Sequence, residues 1–141
     1  MGVKVRGINQ VSNNLSRIVN DISVRRPMRA ITSALITIGE EAALMTPVAT
    51  SVLLNSAFRH IETKGSKFIG KVGYTAKYAA AVHEAKGVHL GKRTLRPVGK
   101  GDAKGSLGYI WDKTGEPKFL EKAAEKTKGR VDDIIRKEMS L

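Results

Sequence analysis

Apolar residues recur every three or four positions near the start of the chain. This spacing predicts an amphipathic helix over residues 8–23. A second helix is predicted from Pro27 to the residue before Pro47, because proline suits a first helical turn and ends a helix that reaches it. The apolar positions of the two helices are, in order, Ile8, Val11, Leu15, Ile18, Val19 and Ile22, then Ile31, Ala34, Leu35, Ile38, Ala42 and Met45.

Beyond Pro47 the spacing of apolar positions changes from about 3.6 to two. Residues 53–63 alternate loosely and residues 66–74 alternate again, which is typical of strands. The Lys64–Gly65–Ser66 segment between them suits a tight turn, so the pattern predicts a β-hairpin. Alanines over about residues 76–85 favour a short helix after the hairpin.

A last helix is predicted over residues 117–139, beginning at Pro117. Phe119 and Leu120 are expected to anchor it to the sheet. Together these elements predict one α+β domain over residues 1–141, a small antiparallel β-sheet packed by N-terminal and C-terminal helices. The predicted stripe along the last helix is Leu120, Ala124, Thr127, Val131, Ile134, Ile135 and Glu138.

Residues 86–115 differ in composition from the rest of the chain. They contain seven glycines and seven Lys or Arg residues against two Asp. The segment is longer than an ordinary connection between elements. We interpret it as an extended basic, glycine-rich loop or arm, within which residues 107–111 suit a short strand that returns to the sheet.

The basic residues of this arm are the candidate docking residues of the chain. They either neutralise DNA phosphates, which would make binding salt-sensitive, or dock on an acidic protein surface, or only keep a mobile loop solvated. Its basic part, residues 86–104, lacks the aromatic residues on which single-stranded bases stack, since Tyr109 and Trp111 lie just beyond it. The six candidates are Lys86, Lys92, Arg93, Arg96, Lys100 and Lys104.

Composition excludes several other classes of protein. The chain has a net charge of +12 and no cysteine, which removes disulfides and thiolate chemistry and fits a reducing cytoplasm. No run approaches the roughly 18 apolar residues of a transmembrane helix, so no membrane partner is expected.

The histidines His60, His83 and His89 lack the spacing of metal ligands. His83 and Glu84, adjacent in sequence, are expected to point apart. We therefore predict no enzyme, no catalytic residue, no metal and no cofactor.

Three segments of the chain share an order and spacing with a known family. The first, after a long helix, has Pro47, Val48, Thr50, Leu53 and Ser56, the second has Tyr78, Ala79, Val82 and Glu84, and the third has Pro117, Phe119, Leu120 and Ala123. In these segments the chain resembles the tail-completion proteins of long-tailed bacteriophages, also called tail-terminator or head–tail joining proteins. The resemblance covers about residues 28–139.

The chain departs from the family pattern at three places. Ala49 stands where the family has an acid, and Ser51 where it has a glycine. The second motif is often followed by Gly-Thr in the family, whereas Ala85–Lys86 follow it here. Serine takes a positive φ less readily than glycine, so the turn at Ser51 is the position most affected by these departures.

The resemblance implies a structural protein of the virion neck, assembled in the host cytoplasm. Copies of the subunit would form a ring, expected to be a hexamer, that joins tail to head and lines the channel through which double-stranded DNA passes. Its other partners would be the neighbouring neck or connector proteins and the tail-tube proteins. The basic arm is then expected to face acidic neighbouring proteins. The alternative function is non-specific nucleic-acid binding by the basic loop, which the charge of +12 favours.

Overall fold

The computed structural model describes residues 2, 6–48, 51–87, 92, 95, 98–104 and 115–140. Helices and a two-stranded antiparallel sheet make up the described residues, so the predicted α+β class is confirmed. In chain order the elements are α1 (Ile8–Asn20), a π-turn (Asp21–Arg25), α2 (Arg26–Met45), α3 (Val52–Asn55), β1 (Ala57–Lys64), β2 (Lys67–Tyr74), α4 (Ala79–His83) and α5 (Phe119–Met139).

Helix α2 is the central element, because it packs on α5 and also on the β1–β2 hairpin. Its buried residues are mostly alanines, and α5 presents the buried Ala123 and Thr127. Small side chains on both helices allow their axes to approach closely. The two helices run antiparallel, since Glu116 before α5 donates its N–H to the Met45 carbonyl (2.8 Å), whereas the Arg26 guanidinium donates to the Ser140 carbonyl at the other end.

The hairpin forms as predicted, with Ala57 opposite Tyr74 and Lys64 opposite Lys67. Its two-residue turn begins at Gly65, whose φ of +59° favours glycine. A β-carbon at Gly70 would lie 2.7 Å from Ile31 Cγ2 and 3.1 Å from Leu35 Cδ1 of α2. Glycine is therefore required where the hairpin crosses α2.

The predicted strand 53–63 is wrong at its beginning. Residues Val52–Asn55 form the short helix α3, and β1 begins only at Ala57. The Ser56 N–H bonds to the carbonyls of Val52 and Leu53, and the Ser56 hydroxyl also donates to Leu53 (2.7 Å), closing the turn. Val52, Leu53 and Leu54 are three consecutive apolar residues, so the alternation does not extend to this end of the segment, where one helical turn buries Leu53.

The predicted first and second helices form one continuous helical run. Between them the Arg26 N–H bonds to the Asp21 carbonyl, a spacing of five residues. Pro27 has no N–H, and in a regular α-helix its ring would clash with the carbonyl four residues earlier. The extra residue of the π-turn accommodates Pro27 without ending the helix.

The predictions for the other elements are confirmed in part. The short helix is confined to Ala79–His83, and α5 runs from Phe119 to Met139 through Gly129 without interruption. Two residues of the predicted stripe of α5, Ala124 and Ile135, are exposed. The buried residues of α5 are Phe119, Ala123 and Thr127. The strand predicted over residues 107–111 lies outside the described residues.

We expect Gly70→Ala to lower the free energy of unfolding by about 1–3 kcal/mol, because Ile31 and Leu35 must move to admit the methyl group. The matched control is Gly129→Ala. No atom lies within 4 Å of a β-carbon built there, so we expect a gain of up to about 1 kcal/mol from helix propensity. Thermal denaturation followed by circular dichroism measures both. A Gly70→Ala protein as stable as the wild type would contradict the described contact between hairpin and α2.

Candidate functional site

The three segments that carry the family resemblance meet in one hydrophobic cluster. Leu53, Ala79 and Phe119 come one from each segment, and all three are buried and packed together. Phe119 is 1 % exposed and lies edge-to-face with Tyr74 at the end of β2, with 5.2 Å between ring centroids. The expectation that Phe119 anchors the last helix to the sheet is therefore met. The residues packed around this cluster are Met45, Tyr74, Ala76, Val82 and Leu120.

The backbone at Ser51 has the left-handed conformation that the motif glycine would favour. Ser51 has φ +62°, and among the described residues the only other non-glycine residue with positive φ is Lys118. The Ser51 carbonyl accepts the Asn55 N–H at 2.8 Å, which closes the α3 turn. Serine therefore keeps the turn geometry at a cost of about 1–2 kcal/mol for the β-carbon in this conformation.

A pocket of about 230 Å³ opens beside the cluster, lined by side chains from β2, α4 and α5. His83 lies in its wall with the ring edge-to-face with Phe119. Nδ1 of His83 bonds to Glu84 Oε1 at 2.9 Å, so the prediction that these two side chains point apart is wrong. Glu84 follows the last residue of α4, where the helix ends and the regular divergence of neighbouring side chains no longer holds. The six lining residues are Tyr74, Ala79, Ala80, His83, Phe119 and Leu120.

The His83–Glu84 pair has one polar atom that nothing satisfies. Nε2 of His83 is buried and has no hydrogen-bond partner among the described residues. The pocket walls are otherwise apolar, and its lining includes no Ser, Thr, Cys or acid that His83 would activate. The arrangement suits an apolar group of a partner that carries a single hydrogen-bonding atom.

Tyr74 connects this pocket to the end of α2. Its hydroxyl donates to Thr46 Oγ1 at 2.8 Å, since the Thr46 hydroxyl proton is donated to the Ala42 carbonyl at 2.6 Å. Burial raises the pKa of Tyr74 above its ordinary value of 10.0. The hydroxyl is therefore protonated at neutral pH, and the chain of two bonds fixes the ring against Phe119.

A buried carboxylate joins the two long helices. Glu41 of α2 has a side chain 9 % exposed, and its carboxylate accepts hydrogen bonds from Lys126 and, at 2.9 Å, from Arg130. Hydrogen bonds from Lys126 and Arg130 lower the pKa of Glu41 below its ordinary value of 4.5. Both cations are mostly exposed, so the negative charge is buried and the positive charges remain at the surface.

The structure describes four of the six candidate docking residues of the arm. Lys86, Lys92, Lys100 and Lys104 are exposed, and none of them makes an ion pair with another described residue. Arg93 and Arg96 lie outside the described residues. No described contact brings these six side chains together, so their grouping remains a prediction from the sequence.

Helix α1 presents an apolar face that the rest of the described chain leaves open. None of its residues is buried, and Val11 is 68 % exposed and Leu15 60 % exposed. Full burial of an aliphatic side chain of this size contributes about 1.5–3 kcal/mol, so the uncovered face is a strong potential contact surface. Sequence patterning predicted the helix but gave no indication that its apolar face would lack a partner.

The described residues contain no group of three His, Cys, Asp or Glu placed to hold a metal ion. Among them, no helix is both long and apolar enough to cross a membrane. The chain matches no protein-family model, no curated protein and no solved structure.

We expect Glu41→Gln to unfold at a lower temperature than the wild type at pH 7, because the charge-assisted bonds to Lys126 and Arg130 weaken. In the wild type the pKa of Glu41 is lower when folded than when unfolded. Its stabilisation is therefore present above pH 4.5 and lost as the pH falls through the lower folded value.

The acid-induced decrease of the unfolding temperature should accordingly be shallower in Glu41→Gln. Some decrease remains, because the pKa values of Asp21 and Glu62 are also lowered, each by a hydrogen bond from a basic side chain. Glu40→Gln is the control, since Glu40 is exposed and makes no ion pair with any described residue. Equal pH profiles for both variants would contradict the assigned role of Glu41.

We expect Ser51→Gly to raise the free energy of unfolding by about 1 kcal/mol, because glycine adopts the left-handed conformation without a β-carbon penalty. Ser51→Ala also removes the hydroxyl but keeps the β-carbon, so it should give no gain. Urea denaturation of the three proteins measures the difference. If alanine and glycine stabilise alike, the positive φ is not what limits this turn.

Proposed function

We propose that this chain is a structural subunit of the neck of a long-tailed bacteriophage. In this proposal it forms a ring that terminates or completes the tail, joins it to the head and lines the DNA channel. It performs no chemistry; its role is to bind copies of itself and the adjacent connector and tail-tube proteins. The observation that carries the proposal is the meeting of the three resembling segments in one cluster.

The cluster supports the proposal because the three segments are far apart in sequence. Leu53, Ala79 and Phe119, one from each segment, nevertheless pack in one buried cluster. Their contact gives the motif residues one joint role, which is to fix α3, α4 and the start of α5 around the end of β2.

The backbone at Ser51 supports the proposal independently. The family motif has glycine at this position, and the chain adopts the left-handed conformation there although it carries a serine. A turn that needs positive φ explains both the family's glycine and the conformation of this residue. In this proposal the chain differs from the motif in the side chain at this position and not in the backbone conformation.

Electron microscopy and light scattering of the purified chain test the proposal. We expect closed rings of about six subunits, formed by the chain alone or when it is mixed with tail tubes, and no dependence of ring formation on DNA. Particles that never close into rings and never cap a tail tube would overturn it.

Charge reversal of Lys86, Lys92, Lys100 and Lys104 should weaken docking to neck proteins and leave the folded subunit unchanged.

The alternative function, nucleic-acid binding, predicts a specific dependence of the binding constant on salt concentration. If these four lysines each neutralise one phosphate of duplex DNA, the logarithm of the binding constant falls with the logarithm of salt concentration with a slope of about −3.6. The charge-reversed variant would then lose that slope. Tight DNA binding with this salt dependence would replace the neck proposal. The absence of DNA binding at about 0.15 M salt would favour the neck proposal.

A further inference from the structure

The apolar positions of α1 follow a heptad repeat. Ile8, Leu15 and Ile22 are seven residues apart, and Val11 and Ile18 lie three residues after the first two. These are the a and d positions of a coiled-coil seam, which continues to Ile22 in the π-turn, and the exposed Val19 lies beside them at an e position. We refer to these five residues as the seam.

The seam projects beyond the rest of the described fold. The hairpin turn ends beside Val24 and Met28, and the end of α5 reaches Arg26 through the Ser140 carbonyl. Helix α1, with 13 residues, therefore extends about 20 Å past both. Nothing in the described part of the chain is positioned to cover it.

A second apolar surface begins where α1 ends. A groove of about 420 Å³ lies between the start of α2 and the hairpin turn, and we call it the root groove. The π-turn places the root groove on the same side of the helical run as Val19 of α1. Residues five apart lie above one another in a π-turn, so Val19 is followed along that side by Val24 and then Met28. The groove is lined by Ser23, Val24, Met28, Thr63, Gly65, Ser66 and Phe68.

Both surfaces are almost free of charge in a chain of net charge +12. Arg17 is the one charged residue of α1 and lies off the seam, and no charged residue lines the root groove. Asp21, next to Ile22, is paired with Arg26 at 2.9 Å. A helix that binds anionic lipid or nucleic acid would carry several Lys or Arg along its polar face, and α1 carries Arg17 alone.

We propose that α1 and the root groove form one self-complementary surface that binds a second copy of this chain. Two copies pair through their seams, and the first turn of each α1 enters the root groove of the other. Because the seam and the groove lining contain no charged side chain, contact through them buries no charge of either molecule of +12. The pairing requires only the exposed helix and the groove, so it does not depend on the proposed neck function.

The pairing is antiparallel and two-fold. Antiparallel helices place the two basic bodies at opposite ends of the seam, farther apart than the roughly 8 Å over which salt screens charge at physiological ionic strength. Parallel helices would place the bodies side by side. In the antiparallel register Val11 lies opposite Ile22 of the second copy and Leu15 opposite its Ile18, which brings Ile8 to the Val24 end of its root groove.

Light scattering of the full chain tests the pairing. We expect the wild type at about 0.1 mM to have twice the 15.3 kDa chain mass or a multiple of that pair. Leu15→Asp places a charge in the seam and should raise the dissociation constant of the pair at least 100-fold. Asn13→Asp adds the same charge on the opposite face and should leave the pair intact. Because no residue of α1 is buried within one chain, both variants should keep the wild-type circular dichroism spectrum, and only Leu15→Asp should lose the added stability that pairing gives the wild type.

Several outcomes would overturn the pairing. They are a wild type that remains at the mass of one chain, a Leu15→Asp protein that associates like the wild type, and a monomer whose α1 binds anionic lipid vesicles. Rings that persist unchanged in Leu15→Asp would overturn the pairing and leave the neck proposal standing. Pairs that Leu15→Asp abolishes, with no ring in any sample, would support the pairing and count against the neck proposal.

Disulfide trapping tests the direction of the helices, because the chain has no cysteine of its own. Val11→Cys and Ile22→Cys proteins, one of them carrying a tag, are mixed and oxidised. We expect mainly the mixed disulfide dimer, since these positions face each other in the antiparallel pair. Dimers of each protein with itself would overturn the antiparallel arrangement. Asn13→Cys mixed with Asn20→Cys, both off the seam, is the control and should crosslink far less.

Discussion

The close approach of α2 to the two elements on either side of it is the constraint on which the fold depends. One side of α2 admits the hairpin only because Gly70 has no β-carbon to meet Ile31 and Leu35. The other contacts α5 through small buried residues such as Ala123 and Thr127. Since aromatic residues are scarce in this chain, close packing of alanine, glycine and threonine replaces large side chains as the source of contact area. The buried Glu41 then fixes the register of the two helices through cations that remain at the surface.

The candidate site follows from the same arrangement. With α2 held between hairpin and α5, the end of α2, the end of β2 and the start of α5 meet at Tyr74, which bonds to Thr46 and packs against Phe119. Phe119 belongs to the third of the segments that resemble tail-completion proteins, and Leu53 and Ala79 of the other two pack with it. These residues stabilise one corner of the fold around the end of β2.

Sequence reasoning predicted the elements better than the contacts between them. Periodicity located both long helices and the hairpin because each pattern extends over eight or more residues. It was wrong at Leu53, where consecutive apolar residues interrupt the alternation and a helical turn forms. It also could not foresee that His83 and Glu84 bond at a helix end, or that Glu41 meets Lys126 and Arg130 some 85 and 89 residues later. Local spacing does not encode such partners, although the four-residue separation of Lys126 and Arg130 indicated that they share a face of α5.

The π-turn also sets the rotational phase of α1. In a helix of 3.6 residues per turn each residue advances about 100° around the axis, so the one additional residue between Asp21 and Arg26 decides which way the first helix faces relative to the body. Removing that residue would leave each helix intact in itself and turn the apolar face of α1 by about a quarter of a circle. Pro27 therefore does more than begin α2. Because it makes a regular α-helix unfavourable at this point, it holds the direction in which the first helix presents its surface.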